Sequence, residues 1–426
     1  GALAFGRIGD IVGRKNTFLV TMIIMGVSTF VVGLLPGAAF FEAMGPGLGI
    51  IAPILLVSLR VLQGLAIGGE YGGAATYIAE HAPANRRGFF TSWIQITATI
   101  GLFISLLVIL GVRNVMSPED FNEWGWRIPF LLSVFLLLIS IWIRLQLNES
   151  PVFLRMKEEM ATSKAPLSEA FGKWSNLKWV IIALFGCVAG QAVVWYTGTF
   201  YGLNYLKQTL RMDPAQADML VAMSLLVGVP FYIFFGWLSD KIGRRHLILA
   251  GLLIPVLTYF PLFHGLAQSA NPALYQATET APVVVRADPA ACSLQFDPVG
   301  KNKFDSQSCD VAKALLSKAG VSYNGENLPA GGVAQIHIGG QTFVAPDVAR
   351  MEAPARASAI AAYTKEVSDA SKAAGYPANA DKGAVNALMV IALLFFTQLC
   401  TAMVYGPMAA MLVELFPARV RYTSMS

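Results

Sequence analysis

Along this chain apolar residues come in long unbroken blocks separated by short polar stretches, which is the pattern of helices surrounded by apolar matter on every side. Eight blocks can cross a bilayer: residues 17–35, 51–77, 89–111, 128–147, 179–205, 217–238, 247–266 and 385–415. About 20 residues at roughly 1.5 Å each cover the roughly 30 Å of hydrocarbon. Stretch 1–11 is apolar but too short to span. It reads as the end of a helix that begins upstream, and the chain as an internal piece of a longer protein.

Two polar interruptions are longer than the rest. Residues 149–178 read as a linker between an N-terminal half-bundle, 1–148, and the first part of a C-terminal one, 179–266, with an amphipathic helix near 151–160. Residues 267–384 form an insert before the last block and its following loop, 385–426. In the insert, 283–286 and 333–338 read as strands, and Gly339-Gly340 as a hairpin turn into 341–344. Asp310 reads as the N-cap of a helix to 318, and 353–374 as a longer helix. The fold class is an all-α membrane bundle with a small α+β insert.

Composition narrows the function. The chain is 55% hydrophobic and 13% charged, against roughly 25% charged in soluble proteins, and its mean hydropathy is +0.57. A water-soluble enzyme is excluded, and the protein is not expected to be an enzyme of any kind. The net charge of +5 is spread over loops and gives no reason to expect a nucleic-acid partner.

Lys and Arg gather in alternate short loops: Arg7, Arg14 and Lys15; Arg86 and Arg87; the linker; Lys241, Arg244 and Arg245; Arg419 and Arg421. The positive-inside rule places these in the cytoplasm and the insert outside, in the periplasm or extracellular space. Cys187 and Cys400 lie inside apolar blocks. Cys292 and Cys309 share the insert, on the oxidising side, and are expected to form a disulfide, with two free thiols as the alternative. The four histidines are scattered and no phosphate-cradling loop is present, so no metal, cofactor or ATP-driven step is expected.

The chain repeats itself. Gly6-x-x-x-Asp10-x-x-Gly13-Arg14-Lys15 recurs as Gly236-x-x-x-Asp240-x-x-Gly243-Arg244-Arg245, an offset of 230 (240 − 10). Glu80, Pro83 and Arg87 recur as Glu414, Pro417 and Arg421, an offset of 334 (414 − 80). Two copies of one bundle follow, and the insert accounts for the difference between the offsets.

These duplicated loops resemble the signature of the major facilitator superfamily. Arg60-Val-Leu-Gln63-Gly64 and Arg144 leading to Glu149-Ser150-Pro151 look like further marks of it, and the run Gly68-Gly69-Glu70-Tyr71-Gly72-Gly73-Ala74, with Glu80 and Pro83, is similar to its metabolite:proton symporter family, in the sugar-porter-like branch. The resemblance covers the membrane part and not the insert. It implies twelve helices in two halves, alternating access, and a piece lacking the first helix, most of the second and the last two.

Asp10, Arg14, Glu80 and Arg87, with Asp240, Arg244, Glu414 and Arg421, are expected to form a cytoplasmic gate; the alternative is that they only fix loop topology. At a surface such pairs are partly hydrated and worth about 1 kcal/mol each. Gly13 and Gly243 serve tight turns. Gly64, Gly68 and Gly72 make one face of the 51–77 helix smooth enough for close contact, while Arg60, Gln63, Glu70 and Tyr77 form another stripe.

A charge inside hydrocarbon costs at least about 2.5 kcal/mol. The second copy places Leu394 and Val404 where the first has Arg60 and Glu70, so the architecture does not require those charges. Glu70 is read as a proton-coupling or substrate-cation site, and Arg60 as a carboxylate-binding group or one that tunes a nearby acid. The alternative is a structural ion pair, though not with each other across ten residues. Gln191, Trp195 and Thr199 share a face by their spacing of four. Gln398 and Tyr405 are weaker candidates, with Thr401, Gln95 and Thr99, and Tyr201 and Tyr205 read as an interfacial belt.

The expected function is proton-coupled symport of a small metabolite, an organic acid or zwitterion, by a multi-pass inner-membrane protein whose partners are its solute and the lipid bilayer and which acts as a monomer. The alternatives are a sensor anchored by the bundle and an uncoupled facilitator.

Overall fold

The computed structural model describes residues 1–160, 162–295, 302–349 and 351–425, apart from the side chains of Leu102, Leu106 and Leu110. Positions 296–301 and 350, within the predicted insert, lie outside the described residues. Among these residues eight helices are long and apolar enough to span a membrane: Arg14–Leu34, Leu48–His81, Ala84–Val115, Arg127–Gln146, Trp174–Thr209, Pro214–Ile242, Arg244–Ala270 and Ala387–Leu415. Each coincides with one apolar block of the sequence.

Local chemistry sets the ends. Ser150 caps the linker helix Pro151–Glu158 by accepting a hydrogen bond from the Phe153 amide, and Pro151 fills the first position, where no intrahelical donor is needed. Asn271 caps Pro272–Thr280 in the same way. The helix over Trp174–Thr209 is irregular. It widens into π turns at Ile182–Val188, Thr197–Tyr201 and Tyr205–Thr209. Thr199 belongs to one of these wide turns, in which residues four apart still fall on one side of the helix, so the spacing of Trp195 and Thr199 is kept.

The chain divides into two compact units. One comprises Gly1–Val194, Gly228–Ile254 and Leu399–Ser426; the other comprises Trp195–Val227 and Pro255–Gln398. Within the first, the helix Arg14–Leu34 packs against Ile51–His81 and Arg127–Gln146. The glycine face on Ile51–His81 differs from the predicted one. Gly64 faces open space, whereas a Cβ on Gly68 would strike the backbone of Ala2 and one on Gly73 would strike the Tyr422 hydroxyl.

Within the second unit the insert shares a core with the helix ends beside it: Leu206, Leu266, Val390 and Leu394 belong to the same cluster as Val285, Leu316 and Ile336. A four-stranded sheet runs in the order β2-β1-β3-β4, with β1 Val284–Ala287, β2 Asn324–Asn327, β3 Gln335–Ile338 and β4 Gln341–Val344. The β1–β2 pair is parallel and the other two are antiparallel. Polar β2, Asn-Gly-Glu-Asn, has no apolar alternation and escaped the sequence reading.

The helix Ser308–Lys318 begins after Gln307, so Asp310 is not its N-cap. Instead its fully buried carboxylate accepts hydrogen bonds from Ser293 N, Ser293 Oγ and Ser306 Oγ at 2.8, 2.7 and 3.2 Å. It ties the preceding loop to the helix. A disulfide joins Cys292 and Cys309 across the same junction, and Cys187 and Cys400 are free.

Candidate functional site

Both signature loops lie in the first unit, and each is shaped by a glycine. Gly13 and Gly243 have φ of 130° and 93°, a region that side-chain-bearing residues avoid. The turn folds each Arg back on its Asp: Arg14 Nη1 lies 3.1 Å from Asp10 Oδ1, and Arg244 Nη2 lies 3.1 Å from Asp240 Oδ1.

Each carboxylate also holds a helix start. Asp10 accepts hydrogen bonds from the amides of Tyr422 and Thr423 at 3.3 and 2.8 Å, at the head of Arg421–Met425. Asp240 accepts from the amides of Gly88 and Phe89 at 2.8 and 2.9 Å, at the head of Arg87–Val115. The 334 offset carries Gly88 and Phe89 onto Tyr422 and Thr423. Each repeat's Asp thus caps a helix of the other repeat, where unpaired amides and the helix dipole favour negative charge.

The Glu residues complete the pattern. Arg421 Nη1 lies 2.8 Å from Glu80 Oε1, and its counterpart Arg87 Nη1 lies 3.7 Å from Glu414 Oε1. Arg14 Nε is 3.7 Å from Glu80, and Arg244 Nη2 is 2.9 Å from Glu414. All eight predicted residues meet in two sets related by the repeat, but the expected grouping is corrected: Arg421 joins Asp10, Arg14 and Glu80, and Arg87 joins Asp240, Arg244 and Glu414, because each of these arginines starts the helix that the other repeat's Asp caps.

The sets differ in hydration, which corrects the expectation that all are partly wet. The side chains of Asp10, Arg14 and Glu80 are at most 1% exposed, whereas Arg87 and Glu414 are about 30% exposed. The linker makes the difference. Ser150 donates a hydrogen bond to Glu80, Phe153 lies under the Arg14 guanidinium at 4.9 Å, and Glu149 accepts from the amides of Arg14 and Lys15. The Tyr422 hydroxyl donates to Gly69 O at 2.7 Å, its ring running against Gly9. Glu149 stood in the sequence only as part of the Glu149-Ser150-Pro151 mark, without a role, and Tyr422 carried no local signal, since the glycines it meets lie far away in the chain.

Deeper in the same unit the Gln95 amide donates to the Tyr71 hydroxyl at 3.0 Å. Tyr71 interacts electrostatically with Tyr405, its repeat partner, and the Tyr405 ring meets that of Tyr232 edge-on at 6.4 Å. Glu70, half-buried, faces not Arg60 but Arg144, with which it interacts electrostatically. Arg144 stacks over the Phe18 ring at 3.9 Å. Arg60 is exposed; it donates to Gln63 Oε1 at 3.0 Å, and Gln63 Nε2 donates to Thr29 Oγ1 at 2.9 Å. The Tyr77 hydroxyl, at the end of that stripe, donates to Asn148 O. Gln191 is half-buried.

In the second unit Gln398 is buried; its Nε2 donates to Gly198 O at 3.4 Å and to Thr199 Oγ1 at 3.5 Å, leaving Oε1 without a partner. Trp195 packs edge-on against Tyr196 and Phe200. Tyr201 and Tyr205 both pack on Phe263, which ties Tyr205 to the protein core and not to the belt expected.

Comparison with known proteins points one way. Residues 1–170 match the family of sugar (and other) transporters. The shikimate transporter of Escherichia coli (strain K12) is 37% identical over 278 residues, 63% of this chain and 60% of that protein. The alpha-ketoglutarate permease of the same organism is 36% identical over 273 residues, 64% and 60% respectively. The chain thus spans about 60% of the length of these curated relatives. Among solved structures, the proton:xylose symporter XylE of the major facilitator superfamily, bound to 6-bromo-6-deoxy-D-glucose, shares the fold. Its TM-score is 0.52 at 16% identity, over 100% of this chain and 71% of that one.

Proposed function

We propose that this chain, which has the major-facilitator fold and is of the sugar-porter-like branch, belongs to a secondary transporter that carries a small metabolite together with a proton by alternating access. Two of the matched relatives are named for organic acids, shikimate and alpha-ketoglutarate, and another for proline and betaine, which makes such acids the first candidate solutes and zwitterions the next. The signature loops face the cytoplasm of an inner-membrane protein in this reading, and the insert faces the periplasm. The protein works as a monomer, with its solute and the lipid bilayer as its partners.

The observation that carries the reading is the reciprocal capping by Asp10 and Asp240. A bond pattern that one half makes to the other, and the other makes back, is broken as a whole when the halves tilt apart and restored as a whole when they return. Charge-assisted hydrogen bonds contribute roughly 1.5–3 kcal/mol each, enough to bias a two-state equilibrium without locking it. Glu70 beside Arg144 supplies the proton site. When Glu70 takes up a proton Arg144 loses its counter-charge, and in an apolar surrounding that loss favours another arrangement. Arg60 and Gln63 offer donors to a carboxylate; Gln191 and Tyr405 of the first unit, and Trp195, Thr199 and Gln398 of the second, are the further candidates for contact with the solute.

The test is uptake of labelled shikimate and of labelled alpha-ketoglutarate into proteoliposomes containing the whole protein, with and without an imposed pH gradient. Accumulation above the outside level that collapses with an uncoupler supports proton symport. Equilibration alone indicates a facilitator, and no movement of either acid or of a broader solute panel indicates a sensor.

A further inference from the structure

The insert contains a cavity of about 500 Å³ that the proposed transport does not use. Val311 and Leu315 of the helix Ser308–Lys318 form one wall, and Ile360 and Val367 of Ala353–Ala373 the other. The lining is apolar in depth and basic around its rim, where Lys303, Lys318 and Lys372 stand exposed against a single acid, Asp305. Lys303 and Lys318 make no ion pair among the described residues, and Lys372 only a 3.7 Å contact with exposed Asp369. Arg211, also on the lining, is occupied: its guanidinium donates to Pro377 O and to Ala319 O at 2.6 Å. It closes one end of the cavity.

We infer that this cavity binds a small amphipathic carboxylate, its apolar body lying between the two helices and its acid group among Lys303, Lys318 and Lys372. The volume is that of a site for one small organic ligand, as such sites measure about 300–1,000 Å³. It is too small for a helix or a folded partner. The charge on the lining favours an anion, because three lysines stand there against one acid and an entering carboxylate offsets the excess of positive charge. The hydroxyl of Ser368 lies on the same lining and can donate to a carboxylate, whereas that of Thr364 donates to Ile360 O.

The probe is radiolabelled decanoate, binding to the full chain in zwitterionic nanodiscs, with empty nanodiscs subtracted and unlabelled decanol as competitor. Decanoate should bind saturably, with decanol weaker by about tenfold or more, the factor of one lost charge interaction. The double variant Lys318→Glu/Lys372→Glu should lose about tenfold in affinity. Thr364→Trp, on the exposed side of the lining, should abolish binding by filling the mouth; all three sites are at the surface, so the fold is retained. Absence of saturable binding, equal affinity for acid and alcohol, or variants that bind like the parent would each overturn the proposal. None of these readouts depends on transport.

Discussion

Asp10 and Asp240 stand in reciprocal relation: each accepts two backbone amides at the head of a helix in the other repeat, Tyr422 and Thr423 for the first, Gly88 and Phe89 for the second. Two acids 230 residues apart (240 − 10) thereby make the same pair of hydrogen bonds on the two signature loops.

The unequal burial of the two sets predicts unequal cost. Arg14→Ala leaves Asp10 and Glu80 charged and buried, and should destabilise by about 3–5 kcal/mol. Arg244→Ala leaves a buried Asp240 but a Glu414 that is about 30% exposed, and should cost less, about 1–3 kcal/mol. Thermal unfolding in one detergent checks this, with the Arg14→Ala midpoint well below that of Arg244→Ala.

Glu80 and Arg421 meet at 2.8 Å across the repeats. Either Glu80→Gln or Arg421→Gln alone should destabilise, while the double variant should be less harmed than the sum of the two, with a coupling of about 1–3 kcal/mol by a thermodynamic cycle. Strict additivity would mean that the contact does not bind the repeats together.

Much of this was legible in the sequence, and the reasons for the exceptions are physical. Spans follow from the length of apolar runs, and the eight charged residues that meet at the signature loops follow from two motifs with fixed internal spacing. Which amides Asp10 caps could not be read, because a motif records spacing within a segment and Tyr422 is 412 residues away. Glu70 was legible as a costly charge, but its partner Arg144 was not, since a stripe on one helix says nothing about the helix opposite. Asp310 looked like a cap because acids favour helix starts. Its real partners, Ser293 and Ser306, lie on a loop whose path the local pattern does not specify.

Glu70→Gln should abolish accumulation driven by a pH gradient while exchange of labelled for unlabelled solute persists. Driven uptake at the parent level in that variant would remove Glu70 from the coupling step.

The disulfide between Cys292 and Cys309 closes a short loop, with a sequence separation of 17. Cys292→Ser/Cys309→Ser should lower the stability of the insert by about 2–4 kcal/mol and speed its proteolysis by trypsin at Lys303 and Lys313, read by gel and mass spectrometry.

Asp288 links pH to the same module. Its carboxylate accepts from the amides of Gly331 and Ala290 at 2.8 and 2.9 Å, which holds its pKa below the ordinary value of 3.8. A lowered folded-state value means stability that is present above 3.8 and lost as pH falls through the folded-state value. Asp288→Ala should therefore melt earlier than the parent at pH 6, and the gap should close as the pH falls below 3.8 and through the folded-state value.

The central claim is that the reciprocal caps hold the loop face shut. Ser92 is fully buried there, against Gly236, and Ser92→Cys, with Cys187 and Cys400 replaced by Ser, gives a thiol to follow. In inside-out vesicles a membrane-impermeant maleimide should label it slowly. Adding Asp10→Asn and Asp240→Asn should raise the labelling rate by about tenfold or more, the effect of roughly 1.4 kcal/mol on the closed state. A rate unchanged by the two substitutions would contradict the account.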